Sequence, residues 1–339
     1  MKNKKIIIAI LSLVCLGIFI GITFGILIPQ RQKAIAWEQT ETRSAVATAD
    51  EIALIDGMTS TANAWTKTPT PTNTFTPTLT STPTITPTIT PTLGIGSTRV
   101  RESDGQVQVY VPEGEFTMGD DSPWPVNGPK HQVYLDSFWI DQTEITNGQY
   151  MACVQAGTCN PPEQNNSYHR KDYFGNPEYD NFPVVYISWD KADTYCEWAG
   201  ASLLTEAQWE KAARGTDGRT FPWGNALPDR DYVNAFNYYK DTIEVGTLTK
   251  GASPYGVFNM AGNVREWVMD YLHGYNEDVL SYKNPIGSTE ANASFPDWKM
   301  IRGGDWSSDI GWITTYQRMS LRIVFPTTAY YGFRCANNE

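Results

Sequence analysis

The chain of 339 residues carries 37 acidic against 26 basic side chains, a formal net charge of −11 and a pI near 4.8. That balance excludes nucleic acid and an anionic lipid surface as principal partners, since both repel an acidic protein. Hydrophobic residues make up 41% of the total, which suits one large core once a non-globular N-terminal region is set aside.

Lys2, Lys4 and Lys5 precede an uncharged stretch from Ile6 to Ile28, long enough to cross a hydrocarbon core as a helix. No small-x-small cleavage pattern follows, so residues 1–28 are expected to be a short basic cytoplasmic end and an uncleaved signal anchor. Val14 before Cys15 argues against lipidation and for a membrane-buried Cys15. The basic bias keeps the N-terminus inside and the remainder outside, giving a single-pass membrane protein with an extracytoplasmic domain. Residues 29–65 read as a juxtamembrane segment. Residues 66–98 hold Pro every few positions among threonines, which favours an extended stalk and prevents a packed core. From 99 to 339 the composition turns to Trp, Tyr, Gly and Asn, the expected globular domain. Its four cysteines, Cys153, Cys159, Cys196 and Cys335, are an even number in a compartment that permits disulfides, so two bridges or four buried thiols are open.

Within the domain, "QVYVPEGEFTMG" (108–119) alternates and then turns, reading as a strand and hairpin, and "QVYLDSFWIDQTEIT" (132–146) continues in strand style. Three helices follow. Thr146 and Gln149 form a capping box, Tyr150, Cys153 and Val154 the apolar face, and Gly157 the stop. Ser188 opens the second, with Ala192, Tyr195, Cys196 and Ala199 inward and Gly200 at its end. Thr205 and Gln208 cap the third, with Trp209, Ala212 and Ala213 buried and Gly215 beyond. Aromatic-rich irregular segments separate them, so the fold class is α+β with much coil.

Four stretches carry joint information: "VVYISWDKADTYCEWAGASLLTEAQWEKAARG" (184–215), "FPWGN" (221–225), "PYGVFNMAGNVREWVMD" (254–270), and "IRGGDWSSD" (301–309) ending in "YYGFRCA" (330–336). In this order and spacing the region from about 108 to 337 resembles the formylglycine-generating enzyme family, also called sulfatase-modifying factor domains. The resemblance implies a loop-rich variant of the C-type lectin fold with structural calcium. It implies Asn259, Gly262, Val264 and Glu266 as one ligand set, the two middle residues through their carbonyls. A second set starts at Asn234 and Ala235 and reaches Asp241. Hard oxygens on a tight turn are what calcium requires. The resemblance also implies a Cys196–Cys335 bridge, and Cys153 and Cys159 lie close enough to pair across a helix end. Ala213 and Met319 hold positions of a further bridge in some relatives, and an apolar contact is expected to replace it.

The family's oxidases bind Cu(I) through two cysteines after the "RGG" motif, where soft thiolates are required. Those positions are Ser308 and Ile313. Asp305 stands where the family has Ser, and Arg265 where it has Trp. Copper and the known oxidase chemistry are therefore not expected. His131, His169 and His273 lack metal-site spacing, Ser307 and Ser308 lack a nucleophile context, and Asp305 with Asp309 reads as a rim. Arg302, Arg318, Arg322 and Arg334 read as structural ion-pair partners. The expected function is recognition of a peptide, glycan or cell-surface protein in a groove built from Asp305, Trp306, Ser307, Ser308, Asp309, Trp312 and Tyr316. The alternatives are an oxidase that converts a sulfatase cysteine to formylglycine and a purely structural surface module.

Overall fold

The computed structural model describes residues 93–121, 127–275, 282–286, 295–323 and 327–338. The expected anchor and the stalk up to residue 92 lie outside them. Among the described residues no helix is long and apolar enough to cross a membrane. The compact unit runs Thr86–Glu339.

Among the described residues, three sheets and three α-helices make a mixed α/β, loop-rich domain. Strands β1 (Thr98–Val100), β2 (Val107–Val111), β5 (Phe138–Asp141), β6 (Ser202–Leu203) and β11 (Cys335–Asn338) form a five-stranded sheet in the order β1-β2-β5-β11-β6. Strands β3 (Gly114–Met118) and β4 (His131–Leu135) make a separate hairpin. Strands β7 (Arg265–Tyr271), β8 (Trp298–Arg302), β9 (Met319–Arg322) and β10 (Tyr331–Phe333) form a sheet in the order β10-β7-β8-β9. The hairpin read into residues 108–119 is corrected here. Its two strands, β2 and β3, go to different sheets, because Val109 and Val111 pair with β5 while Phe116 and Met118 pair with β4.

The helices follow their caps. Both Thr146 at α1 (Asn147–Gln155) and Thr205 at α3 (Glu206–Arg214) close reciprocal capping boxes with a Gln three residues on. At α2 (Trp189–Trp198) Ser188 is the N-cap without a side-chain bond. Gly157, Gly200 and Gly215 all adopt positive φ just past the helix ends, where a side chain would be strained.

Two apolar clusters hold the layers together. One packs β2, β5, the β3–β4 hairpin and α3 around Trp209, Phe138 and Ile140. The other packs α1 and α2 against β7, β8 and β10 around Tyr150, Tyr195, Trp267 and Phe333. Strand alternation lets β11 serve both, with Cys335 in one and Ala336 in the other. Cys196–Cys335 ties α2 to β11 across 139 residues, a loop closure of about 4–5 kcal/mol in the chain-entropy view. Cys153–Cys159 closes the end of α1. Ala213 and Met319 fall in different clusters, so no direct apolar contact replaces the family's further bridge.

Candidate functional site

The site is set by where β7 and β8 begin and end. Their antiparallel register places Glu266 opposite Arg302, so Arg265 and the Gly303–Gly304 turn lie side by side. Gly303 and Gly304 have φ of +92 and +70. A Cβ on Gly304 would stand 2.9 Å from the Trp312 carbonyl oxygen, and one on Gly303 3.1 Å from the Trp209 ring. Both glycines are thus required for the close approach.

Behind this turn lies an ion-pair network. The Arg302 guanidinium donates to Glu206 at 3.1 Å and Glu210 at 2.6 Å, and Arg318 reaches both oxygens of Glu206 at 2.8 Å. Burial works to raise the Glu206 carboxyl, but Arg318 and Arg302 outweigh it and bring it down to about 2. These pairs cover Glu206 and Glu210, the carbonyls of Pro112, Gly114 and Gly119 accept from Lys211 and Arg214, and every residue of α3 is buried. Arg322 pairs with Asp297, and Arg334 binds Glu266 through two 2.8 Å contacts, so all four arginines are structural as expected.

In front of the turn the arrangement differs. Arg265 Nε lies 2.6 Å from Asp305 Oδ2, its Nη2 donates to Ser308 Oγ at 3.3 Å, and its Nη1 meets the Met319 sulfur at 3.1 Å. The two departures from the family pattern, Arg265 and Asp305, are therefore partners. Asp305 Oδ1 accepts from the backbone N–H and the hydroxyl of Ser307. Ser308 Oγ accepts from the Asp305 N–H, so the hydroxyl at the first copper position serves as a turn brace. Ile313, at the second, is fully buried with Phe221, Val233, Ala235 and Ala261. A hydroxyl already bonded and an alkyl side chain do not fit Cu(I). The residual crevice, lined by Arg265, the two glycines, Trp312, Gln317 and Met319, has a volume of ≈ 10 Å³, room for about one water.

The expected groove is also revised. Asp305, Trp306 and Ser308 are buried, Ser307 and Tyr316 half-buried, and only Asp309 and Trp312 exposed. Tyr316 faces Arg214 instead, 5.5 Å away. Trp306 stacks on Tyr330 at 5.3 Å and meets Tyr168 edge-on at 5.0 Å. Burial pushes the Tyr330 hydroxyl up to about 12, with Tyr168 and Asp305 adding to it. Tyr168 comes from a loop whose sequence gives no hint of the site. Phe236 and Asn237, both in the left-handed region, donate backbone N–H groups to the carbonyls of Ser308 and Trp306 and so fix that turn.

The two calcium sets are brought together: Asn234 and Gly262 form a parallel bridge, and the Asn263 N–H donates to the Asn234 carbonyl. Asn259, Gly262 and Asn263 all take positive φ, as a tight turn requires. The carboxylates are otherwise engaged, however. Glu266 is held by Arg334 and the Trp209 N–H, and Asp241 accepts from Ser167, the His169 N–H and Arg170. Asn259 Oδ1 accepts from Gly246 N–H. Val264 and Ala235 are buried core residues. The first set as placed does not fit a divalent cation, because a guanidinium already matches its carboxylate. In the second, Asn234 Oδ1 is buried with no partner among the described residues. Glu144 Oε2 is likewise unpartnered, and burial pushes that carboxyl up to about 8. Of the histidines, His273 lies near Glu206 and Asp270, but the paired arginines make that group an ion-pair cluster, not a metal set.

Residues 96–339 match the sulfatase-modifying factor enzyme 1-like domain. The chain belongs to that family. It is 31% identical over 298 residues to a formylglycine-generating enzyme of Streptomyces coelicolor, covering 71% of this chain and 92% of that protein. It is also 31% identical over 246 residues to the serine/threonine-protein kinase pkn1 of Chlamydia pneumoniae, but there spans 38% of the relative's length. Among solved structures, PvdO from Pseudomonas aeruginosa aligns with a TM-score of 0.60 at 26% identity, covering 72% of this chain and 99% of that one. The Treponema denticola variable protein 1 shares the fold, with a TM-score of 0.56 at 19% identity, covering 71% of this chain and 98% of that one. The sulfatase-modifying factor domain of this chain thus shares the family's scaffold, with Arg265 and Asp305 paired in front of the Gly303–Gly304 turn.

Proposed function

We propose that the domain is a non-catalytic recognition module, held outside the membrane by residues 6–28 and the Thr/Pro-rich stalk. The observation that supports it is the Arg265–Asp305 pair with Ser308 braced beside it, where the family's oxidases need two thiolates. An ion pair 2.6 Å long, a bonded Ser308 hydroxyl and a fully buried Ile313 put no thiolate at the two positions where the family's oxidases have one. The surface left for binding is the exposed edge of this turn, carried by Trp312 and Asp309. Calcium, as a structural ion, is assigned to the Asn234 side of the bridged loops, whose orphaned oxygen has lone pairs to offer.

The direct test supplies the full chain with Cu(I), O2 and a peptide bearing a Cys-x-Pro-x-Arg motif, then weighs the peptide by mass spectrometry. Recognition without oxidation predicts an unchanged peptide. Conversion of the thiol to an aldehyde would place the chain among the oxidases. Recovery of the chain in the soluble fraction after lysis, with residues 1–28 intact, would contradict the tether.

A further inference from the structure

Two half-exposed rings flank the Arg265–Asp305 pair. Trp312, 43% exposed, lies 5.9 Å from the Arg265 guanidinium. Tyr168, 52% exposed, closes on Trp306 and Tyr330 at 5.0 and 5.8 Å. It also lines an open concavity of ≈ 480 Å³ formed by residues 165–172. A series of contacts links the two rings. Trp312 lies over Arg265, Arg265 pairs with Asp305, and Asp305 accepts from the half-buried Ser307. Trp306, between Asp305 and Ser307 in sequence, stacks on the half-buried Tyr330 and meets Tyr168.

We propose that this surface binds a neutral oligosaccharide, with sugar rings stacked on Tyr168 and Trp312 and hydroxyls meeting the polar strip between them. The proposal rests on the recognition role given above and names its ligand class. Sugar rings offer flat C–H faces to aromatic rings and hydroxyls that both donate and accept. The strip supplies both roles: guanidinium N–H groups that only donate, the Asp309 carboxylate that only accepts, and hydroxyls that do either. Trp306, which meets Tyr168 edge-on, has its Nε1 buried without an acceptor among the described residues.

A peptide fits less well. Extended peptides bind by side-chain pockets or by adding to a free sheet edge. The crevice of ≈ 10 Å³ beside Arg265 admits no side chain, and the ≈ 480 Å³ concavity beside Tyr168 is an open shelf, not a closed side-chain pocket. Strand β7 is flanked on both sides by β10 and β8, and the outer side of β10 already gives its Phe333 carbonyl to the Ile145 N–H. An anionic glycan gains little, because Asp305 already neutralises Arg265 and the chain as a whole carries −11.

The test applies the full chain, in nanodiscs, to an array of neutral, amino-sugar, uronic-acid and sulfated oligosaccharides, with affinities then measured by calorimetry. Saturable binding of a neutral oligosaccharide is expected, weakened about tenfold by Tyr168→Ala and by Trp312→Ala separately, as loss of one stacking ring implies. Phe295→Ala, removing an exposed ring on another part of the surface, should leave it unchanged. Because both target rings are half-exposed, unchanged melting temperatures should accompany the losses. No bound glycan, preference for acidic glycans, or affinity indifferent to both substitutions would overturn the proposal. Those failures leave the non-oxidase reading standing, which only peptide oxidation would remove.

Discussion

The two sides of the Gly303–Gly304 turn use the same residue types to opposite ends. Behind it, Arg302 and Arg318 are almost fully buried and locked to Glu206 and Glu210, carrying α3 on the second sheet. In front, Arg265 is partly open, its Nη atoms meeting only a thioether and a long hydroxyl contact beyond its pair with Asp305. A buried guanidinium surrounded by carboxylates is fixed by the cost of leaving those charges unpaired. A guanidinium with weak acceptors at its open edge retains donors for something else. Burial and partner quality, not residue identity, separate the structural arginines from the one at the candidate site.

That contrast can be broken most sharply at Arg302. Arg302→Met takes a buried cation from Glu206 and Glu210, leaving them Arg318 and Arg214, and should cost about 3–5 kcal/mol in chemical denaturation. Arg265→Met strands only Asp305, which keeps its Ser307 bonds, and should cost about 1–2 kcal/mol. Equal losses would mean that the front pair is as structural as the network behind it.

A pH-dependent effect distinguishes Glu144, near Arg334 and Glu266 but without an ion-pair partner of its own among the described residues. Burial raises its carboxyl to about 8, with Arg334 opposing and Glu266 adding to the shift. The folded form thus keeps a proton that the unfolded chain releases near pH 4.5, so this contribution is full below that pH and is lost as pH rises through 8. Glu144→Gln should gain on the parent by up to about 1 kcal/mol per pH unit between pH 5 and 8. Parallel stability curves would show that Glu144 is ionised in the fold.

The smallest expected effect is on calcium. Chelation should lower the melting temperature of the parent by only a few degrees, a change of about 1 kcal/mol, and Asn234→Ala should abolish that response while Asn259→Ala retains it. Loss of the response with Asn259→Ala alone would return the ion to the loop ending at Glu266.

The local elements were legible because their signals are local. Thr146 with Gln149, Thr205 with Gln208, and the glycines at 157, 200 and 215 define helix ends by bonds spanning three or four residues. The Cys196–Cys335 pair followed from the resemblance to the formylglycine-generating enzyme family and Cys153–Cys159 from closeness across a helix end, and both bridges are present. Strand partners were not legible: nothing between Val111 and Gly114 says that β2 and β3 part to different sheets. The candidate site was half legible. Arg265 and Asp305 each stood out as departures, but their contact joins positions far apart in sequence, and no periodicity reports it. Tyr168 was missed because an exposed aromatic in a polar loop has no pattern until Trp306 and Tyr330 are seen beside it. The reading of α3 named only Trp209, Ala212 and Ala213 as buried. Its charged residues are buried too, because Arg302 and Arg318 cover Glu206 and Glu210 while carbonyls of residues 112–119 cover Lys211 and Arg214, partners far away in sequence.

The most direct measurement is Cu(I) affinity by competition with a chromophoric chelator, for the parent chain and for Arg265→Trp, Asp305→Ser, Ser308→Cys, Ile313→Cys combined. The account predicts no competition by the parent and tight, stoichiometric Cu(I) binding by the fourfold variant, because the scaffold persists and only the ligands and the ion pair differ. Stoichiometric Cu(I) binding by the parent would contradict the claim that Arg265, Asp305 and Ser308 stand in place of a metal site.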